Sequence, residues 1–164
     1  MKKLRIGLIL GLVVVEILFF FIMNKVTTLD EMIVFFDMNL FVHFSETNLI
    51  INIINLTPNV LTWVHRFYML DTLFPLLYGT LIATFLWQYV SKKSLLIIII
   101  AVLLDYTENI FILTSINKGE MGAFIFNTLK VVSPIKFVLI GIAIILVLIQ
   151  VGKEHTHENN PTSN

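Results

Sequence analysis

Apolar positions gather into four long stretches along the 164-residue chain, separated by short or polar connections. A transmembrane helix needs about 20 consecutive, mostly apolar residues to cross the hydrocarbon core. Residues 6–23, 69–90, 95–116 and 131–151 satisfy that requirement. LLIIIIAVLL in the third stretch and LIGIAIILVLI in the fourth are apolar all the way round a helix, as lipid-facing helices are. The pattern predicts an all-α, polytopic membrane protein: a four-transmembrane-helix bundle forming a single domain over residues 1–152.

The connections refine this picture. SKK at 91–93 is too short for anything but an antiparallel hairpin between the second and third spans, and NKGEMG at 117–122 does the same for the third and fourth. Residues 24–68 form an external segment, too long for a simple loop and too apolar for a linker. Its FFDMNLFVHF and ETNLIINIINL stretches mix Phe, Ile and Leu with Asp37, His43 and Glu46. Ser45 is placed to cap a helix in which Leu49, Ile53 and Leu56 share a face. That predicts an amphipathic helix lying on the outer leaflet or folded over the mouth of the bundle. The sequon Asn55-Leu56-Thr57 is read as chance. The polar tail KEHTHENNPTSN, 153–164, is expected to be a disordered cytoplasmic extension, with His155 and His157 solvated.

The basic MKKLR start followed by an apolar run resembles a secretory signal, but no small-residue cleavage site follows in IMNKVTTLD, so the first span reads as a retained signal anchor. Lys2, Lys3, Arg5, Lys92, Lys93 and Lys153 fall on one side of the bundle, and Lys25, Arg66, Lys118 and Lys130 on the other. By the positive-inside rule this modest bias predicts both termini in the cytoplasm.

Composition agrees. Charged residues make up 13% of the chain and mean hydropathy is +0.91, whereas a soluble domain carries about 25% charged residues. The lipid bilayer is the expected partner. Eleven basic and eleven acidic side chains balance, and no basic stripe favours nucleic acid. With no cysteine the chain has no disulfide framework, thiolate metal site or thiol nucleophile.

LLDYTENIFIL, 103–113, breaks the third apolar run with Asp105, Glu108 and Asn109. Asp105 lies roughly 15 Å into that helix, and positions 105, 108, 109 and 112 form one face. An ionised carboxylate at the bilayer centre costs at least about 2.5 kcal/mol, so this face is expected to point inward. Other spans add groups. Glu16 lies midway along the first. Asp71 opens the second, with Tyr78 on the same face, and Pro75 frees the Asp71 carbonyl from the helical ladder. In the fourth, Pro134 does the same to Lys130, and Ser133 shares a face with Lys136. Four acids thus face one base within the spans, with Arg66 and Lys130 at the rim, so neutrality requires those two bases, protonated carboxyls or a bound cation. The site is expected in the outer half of the bundle. The plain alternative is interhelical glue, in which polar side chains bond across helices at about 0.6 to 2 kcal/mol each. Trp63, Trp87, Tyr68 and Tyr89 fit interfacial belts.

DTLFPLLY at 71–78 followed by DYTEN at 105–109 resembles a widespread, uncharacterised bacterial family of small four-helix membrane proteins with paired D-x-x-F-P-x-x-Y and D-Y-x-E-N motifs. The matching positions are Phe36, Asp37, Arg66, Tyr68, Asp71, Phe74, Pro75, Tyr78, Asp105, Glu108 and Asn109, with a lysine early in the fourth span, Lys130 or Lys136. The likeness covers roughly 35–140, and the external segment departs from the Gly-rich, Tyr-containing pattern of the group. The resemblance implies the fold, a polar site and a place in a bacterial cytoplasmic (inner) membrane, and no activity.

Three functions compete. A binding or transport protein would hold a cation, amine or amphiphile among Asp71, Tyr78, Asp105, Glu108, Asn109 and Lys136, with Glu16 and Arg66 as further candidates. Four helices are few for a transporter, so transport would call for a homo-oligomer. An intramembrane enzyme acting on a lipid would use paired carboxylates as acid and base, with Lys136 or Arg66 holding a headgroup. No His lies clearly within a span and no nucleophile motif stands out. Asp71, Asp105 and Glu108 could bind a hard metal through oxygen, but D-x-x-E-N is too short a signal to claim one, and any cofactor is unknown. A non-catalytic membrane partner or immunity-type subunit would use the acids as glue alone.

Overall fold

The computed structural model describes residues 2–27 and 44–158, and every element in them is helical. They are α1 (Lys2–Thr27), α2 (Phe44–Leu56), α3 (Pro58–Asp71), α4 (Phe74–Phe85), a π-helical turn (Leu86–Val90), a 3-10 turn (Lys92–Ser94), α5 (Leu95–Lys118) and α6 (Ala123–Glu158). Four stretches are long and apolar enough to cross a membrane: Lys3–Ile22, Pro58–Gln88, Lys92–Lys118 and Ala123–Gly152. The chain is a multi-pass helical membrane protein built on a four-helix bundle. The FFDMNLFVHF stretch, with Phe36, Asp37 and His43, lies outside the described residues.

The second span departs from its expected start. It begins at Pro58, not near residue 69, so the external segment is shorter than the sequence pattern implies. Thr57 is extended (φ −118°, ψ 91°), as a residue before proline prefers, and Pro58 then sits in the first helical turn, where its missing N–H costs nothing. The polar residues that looked like loop are satisfied on the helix itself. His65 bonds the Leu61 carbonyl (3.0 Å) and the Asn117 side chain (2.8 Å), while the Arg66 guanidinium lies 4.6 Å from the centre of the Trp63 ring.

Pro75 breaks this span as expected. α3 closes with Thr72 N donating to Tyr68 O and Leu73 N to Leu70 O, and α4 restarts at Phe74. Pro75 has no N–H to offer the Asp71 carbonyl. The neighbouring Thr72 carbonyl accepts from the Tyr106 hydroxyl of α5 at 2.9 Å, so the break is fastened to the adjacent helix. α6, in contrast, runs unbroken through Pro134 and on to Glu158, so the first part of the tail expected to be disordered continues the helix.

Helix α2 does fold over one end of the bundle, but with a different face inward. Thr47, Ile51 and Ile54 are buried, whereas Leu49, Ile53 and Leu56 are exposed. Polar clamps decide the rotation. Asn48 exchanges two hydrogen bonds with the Met121 backbone (2.7 and 3.3 Å), and the Asn55 amide donates to Ile116 O at 3.0 Å. A buried backbone group left unpaired costs about 1–3 kcal/mol, which rivals burial of one more leucine. Gly119, in the left-handed region at φ 79°, ends α5 below this clamp.

Two apolar cores result. Val15, Phe19 and Ile22 of α1 pack with Ile54, Val60, Val64, Phe67, Tyr68, Ile112 and Ile116 towards the α2 end. Tyr78, Leu86, Ile98, Ala101 and Ala143 form the second, towards the opposite end. On α5 the polar residues 105, 108 and 109 fall between Ala101 of one core and Ile112 of the other.

Candidate functional site

The site is assembled from the break in the second span and from mid-length positions of α5 and α6. Asp71, Asp105 and Lys136 are each thirteen residues from the α2-side end of their span, at Pro58, Lys118 and Ala123 respectively. At 1.5 Å per residue that is roughly 20 Å, so three helices bring charge to one level by equal counting.

Asp105, Glu108, Asn109, Ser133 and Lys136 are all buried, between 1% and 6% exposed. The Lys136 ammonium donates to Asp105 Oδ1 at 2.8 Å and pairs with Glu108 Oε2. The Tyr78 hydroxyl donates to Asp105 Oδ2 at 2.7 Å. The Ser133 hydroxyl donates to Glu108 Oε1. One chain of contacts thus runs Tyr78–Asp105–Lys136–Glu108–Ser133, crossing three helices. Gly79 permits the approach of α4 to α5: a Cβ there would come within 2.5 Å of Val102 Cγ2, and the valine, branched at Cβ, cannot swing aside cheaply.

Asp71 and Asn109 behave differently. The half-buried Asp71 carboxyl lies within electrostatic reach of Asn109, Asp105, Lys136 and Glu108. Asn109 is 1% exposed, yet both its amide nitrogen and its amide oxygen lack a hydrogen-bond partner; the amide lies towards Asp71 without completing a bond. A buried amide with no partner costs about 1–3 kcal/mol. The network therefore contains one saturated part around Lys136 and one unsatisfied part, Asp71 with Asn109. The acids also outnumber the base: two carboxyls pair with the Lys136 ammonium, and a third, Asp71, lies within its electrostatic reach. Among the described residues no three His, Asp or Glu side chains converge as a metal-holding group; the Lys136 ammonium occupies the place between Asp105 and Glu108 that a metal would need.

Six of the eight sequence candidates, Asp71, Tyr78, Asp105, Glu108, Asn109 and Lys136, meet here. Glu16 and Arg66 do not. Glu16 is exposed on α1, among Ile9, Leu12, Val13, Ile17 and Phe20. Arg66 is exposed and covers Trp63, and Lys130 is exposed beside the Phe126 ring at 4.6 Å. Both bases expected to reach in from the rim are spent on aromatic faces. Ser133, noted only as sharing the Lys136 face, is a full member. Tyr106, inside the DYTEN motif, holds the Thr72 carbonyl, a role its residue type allows and its position alone does not announce. The chain matches no protein-family profile, no curated protein and no solved structure.

Proposed function

We propose that this chain is a membrane binding protein whose mid-bundle site takes a small monovalent cationic group, a protonated amine or an alkali cation, at Asp71 and Asn109. The observation that carries this reading is the Asn109 amide, buried with both polar atoms short of a hydrogen-bond partner beside the Asp71 carboxyl, which no base pairs with directly among the described residues. A cationic ligand neutralises the Asp71 carboxylate and coordinates the Asn109 oxygen, which leaves the Asn109 amide N–H to donate to Asp71. The charge ledger agrees, because Lys136 offsets one of three carboxyls. A single positive charge suits the charge balance better than a multivalent metal, since an ammonium already stands between Asp105 and Glu108. In this proposal the protein sits in a bacterial cytoplasmic membrane with both termini inside, and belongs with the small four-helix family that the DTLFPLLY and DYTEN motifs resemble.

The Ser133 hydroxyl, bonded to a carboxylate that is itself held by a lysine, favours a second reading, an intramembrane enzyme in which Ser133 attacks a lipid ester with Glu108 as base. Binding is preferred because Ser133 is 5% exposed and Glu108 1%, leaving a lipid carbonyl no approach, whereas Asp71 is the accessible member.

Asn109→Leu separates function from glue. Removing an unpartnered buried amide should stabilise the protein by about 1 kcal/mol, read by thermal unfolding in mild detergent. The same variant, and Asp71→Asn, should lose whatever small cation or amine native mass spectrometry finds on the wild type. Destabilisation by Asn109→Leu with an unchanged spectrum would favour the glue reading and overturn ours.

A further inference from the structure

Glu16 stands apart from the site, and its surroundings point to a second copy of this chain. It lies deep in the first span, thirteen residues after Lys3, and is exposed on α1. No hydrogen bond or ion pair holds its carboxyl among the described residues. The bundle is on another side of the helix: Val15, Phe19 and Ile22 face α3 and α4, with Phe19 4.8 Å from Phe67 and 5.9 Å from Phe74 between ring centres. A carboxyl turned outward at this depth is costly against lipid, so it calls for a polar partner that the described residues do not supply.

The spacing around Glu16 says what that partner looks like. Ile6, Ile9, Val13, Glu16 and Phe20 follow one another by three, four, three and four residues, the repeat of a left-handed helix–helix seam. The four apolar members are 46% to 69% exposed, so the seam is built and uncovered. Copies of one membrane protein insert the same way up, so a two-fold axis between them runs along the membrane normal and equal depths meet. A symmetric contact along this seam places Glu16 against Glu16. The pair is self-complementary: a carboxyl holding its proton donates, and its neighbour accepts. No base from another protein is needed.

We infer that the α1 seam is a homodimer interface, registered by a Glu16–Glu16 contact. Apolar packing alone supplies little drive between helices in lipid, whose tails are as apolar as leucine, so the polar contact at the centre carries the specificity. This inference stands independently of the ligand site.

The chain has no cysteine, so single-cysteine reporters in the full chain are clean. In native membranes treated with a membrane-permeant oxidant, Val13→Cys and Phe20→Cys on the seam should form a disulfide-linked dimer. Val14→Cys and Leu18→Cys, also exposed on α1 but off the seam, should not. Adding Glu16→Leu to the seam reporters should weaken association roughly threefold to thirtyfold, while Glu16→Gln, whose amide also donates and accepts, should retain it. Equal cross-linking at all four positions, no seam dimer, a seam adduct of any mass other than twice the chain, or a dimer indifferent to Glu16→Leu would each overturn the inference.

Discussion

At the scale of single residues, the Lys136 ammonium is the keystone, because two buried carboxylates depend on it. Asp105 and Glu108 are 6% and 1% exposed, and no other base reaches them among the described residues. Breaking a buried pair by removing one partner costs about 3–5 kcal/mol in water-soluble proteins. In lipid the measured worth of a single polar contact is lower, about 0.6 to 2 kcal/mol, but here one deletion strips two acids. Lys136→Met is therefore expected to cost about 3 kcal/mol in detergent unfolding, and Lys136→Met with Glu108→Gln and Asp105→Asn should recover much of that loss. If the triple variant is no better than the single, the ammonium acts by packing rather than by charge. The sequence disclosed Asp105, Glu108, Asn109, Asp71 and Lys136 because a polar group inside an apolar run declares its own cost. The same reasoning could not say with whom each is paired. Glu16 obeys the same rule and faces outward, since α1 is apolar all round and its rotation about its own axis is not written in its pattern. Arg66 lies five residues from Asp71, about 140° round the helix, so it could never share that face.

At the scale of elements, the second span shows how a helix break is made into part of a site. Pro75 stops the ladder at the Asp71 carbonyl, and the turn at Thr72 and Leu73 sets the Asp71 side chain at the level of Lys136. The Tyr106 hydroxyl then holds the Thr72 carbonyl at 2.9 Å. If this clasp exists because of the break, the two should be coupled. Tyr106→Phe should cost about 1 kcal/mol in the native background, the worth of one hydrogen bond. In a Pro75→Ala background, where α3 and α4 can join into one ladder that serves the Thr72 carbonyl, the same substitution should cost less than half as much. A double-mutant cycle on unfolding free energies measures this; additive effects would mean the tyrosine packs rather than clasps. The break itself was legible, because proline acts on the residue four before it wherever it stands in a helix. The start of the span was not: His65 and Arg66 resemble a loop in sequence, and only the Asn117 side chain and the Trp63 ring, both brought in by folding, let the helix run on to Pro58. The rotation of α2 was hidden for a like reason, since Asn48 and Asn55 outweigh its leucines only once the Met121 and Ile116 backbone is in reach.

At the scale of the whole molecule, the question is which way up the bundle sits. Arg5 donates to Thr84 Oγ1 (3.2 Å), Thr84 O (2.9 Å) and Gln88 Oε1 (2.6 Å), with its guanidinium 3.9 Å from the centre of the Phe85 ring. This clasp locks the start of α1 to the same end as the Lys92–Ser94 turn, so Arg5, Lys92 and Lys93 act as one basic end. The opposite end, under α2, carries Lys25, Arg66, Lys118 and Lys130 in its chain segments. Lys153, beyond the fourth span, adds to the Arg5 end, and with Lys2 and Lys3 the count favours that end as cytoplasmic by six to four. Since the margin is two charges, a direct measurement is worth making. Lys93→Cys and Lys118→Cys, in a chain otherwise free of cysteine, should react differently with a membrane-impermeant thiol reagent applied to intact bacterial cells. Lys118→Cys is expected to be labelled at once and Lys93→Cys only after the membrane is opened. That result would place α2 outside and give Asp71 and Asn109 a ligand drawn from the external medium. The reverse labelling would turn the bundle over, and the cation proposed for the site would then have to come from the cytoplasm.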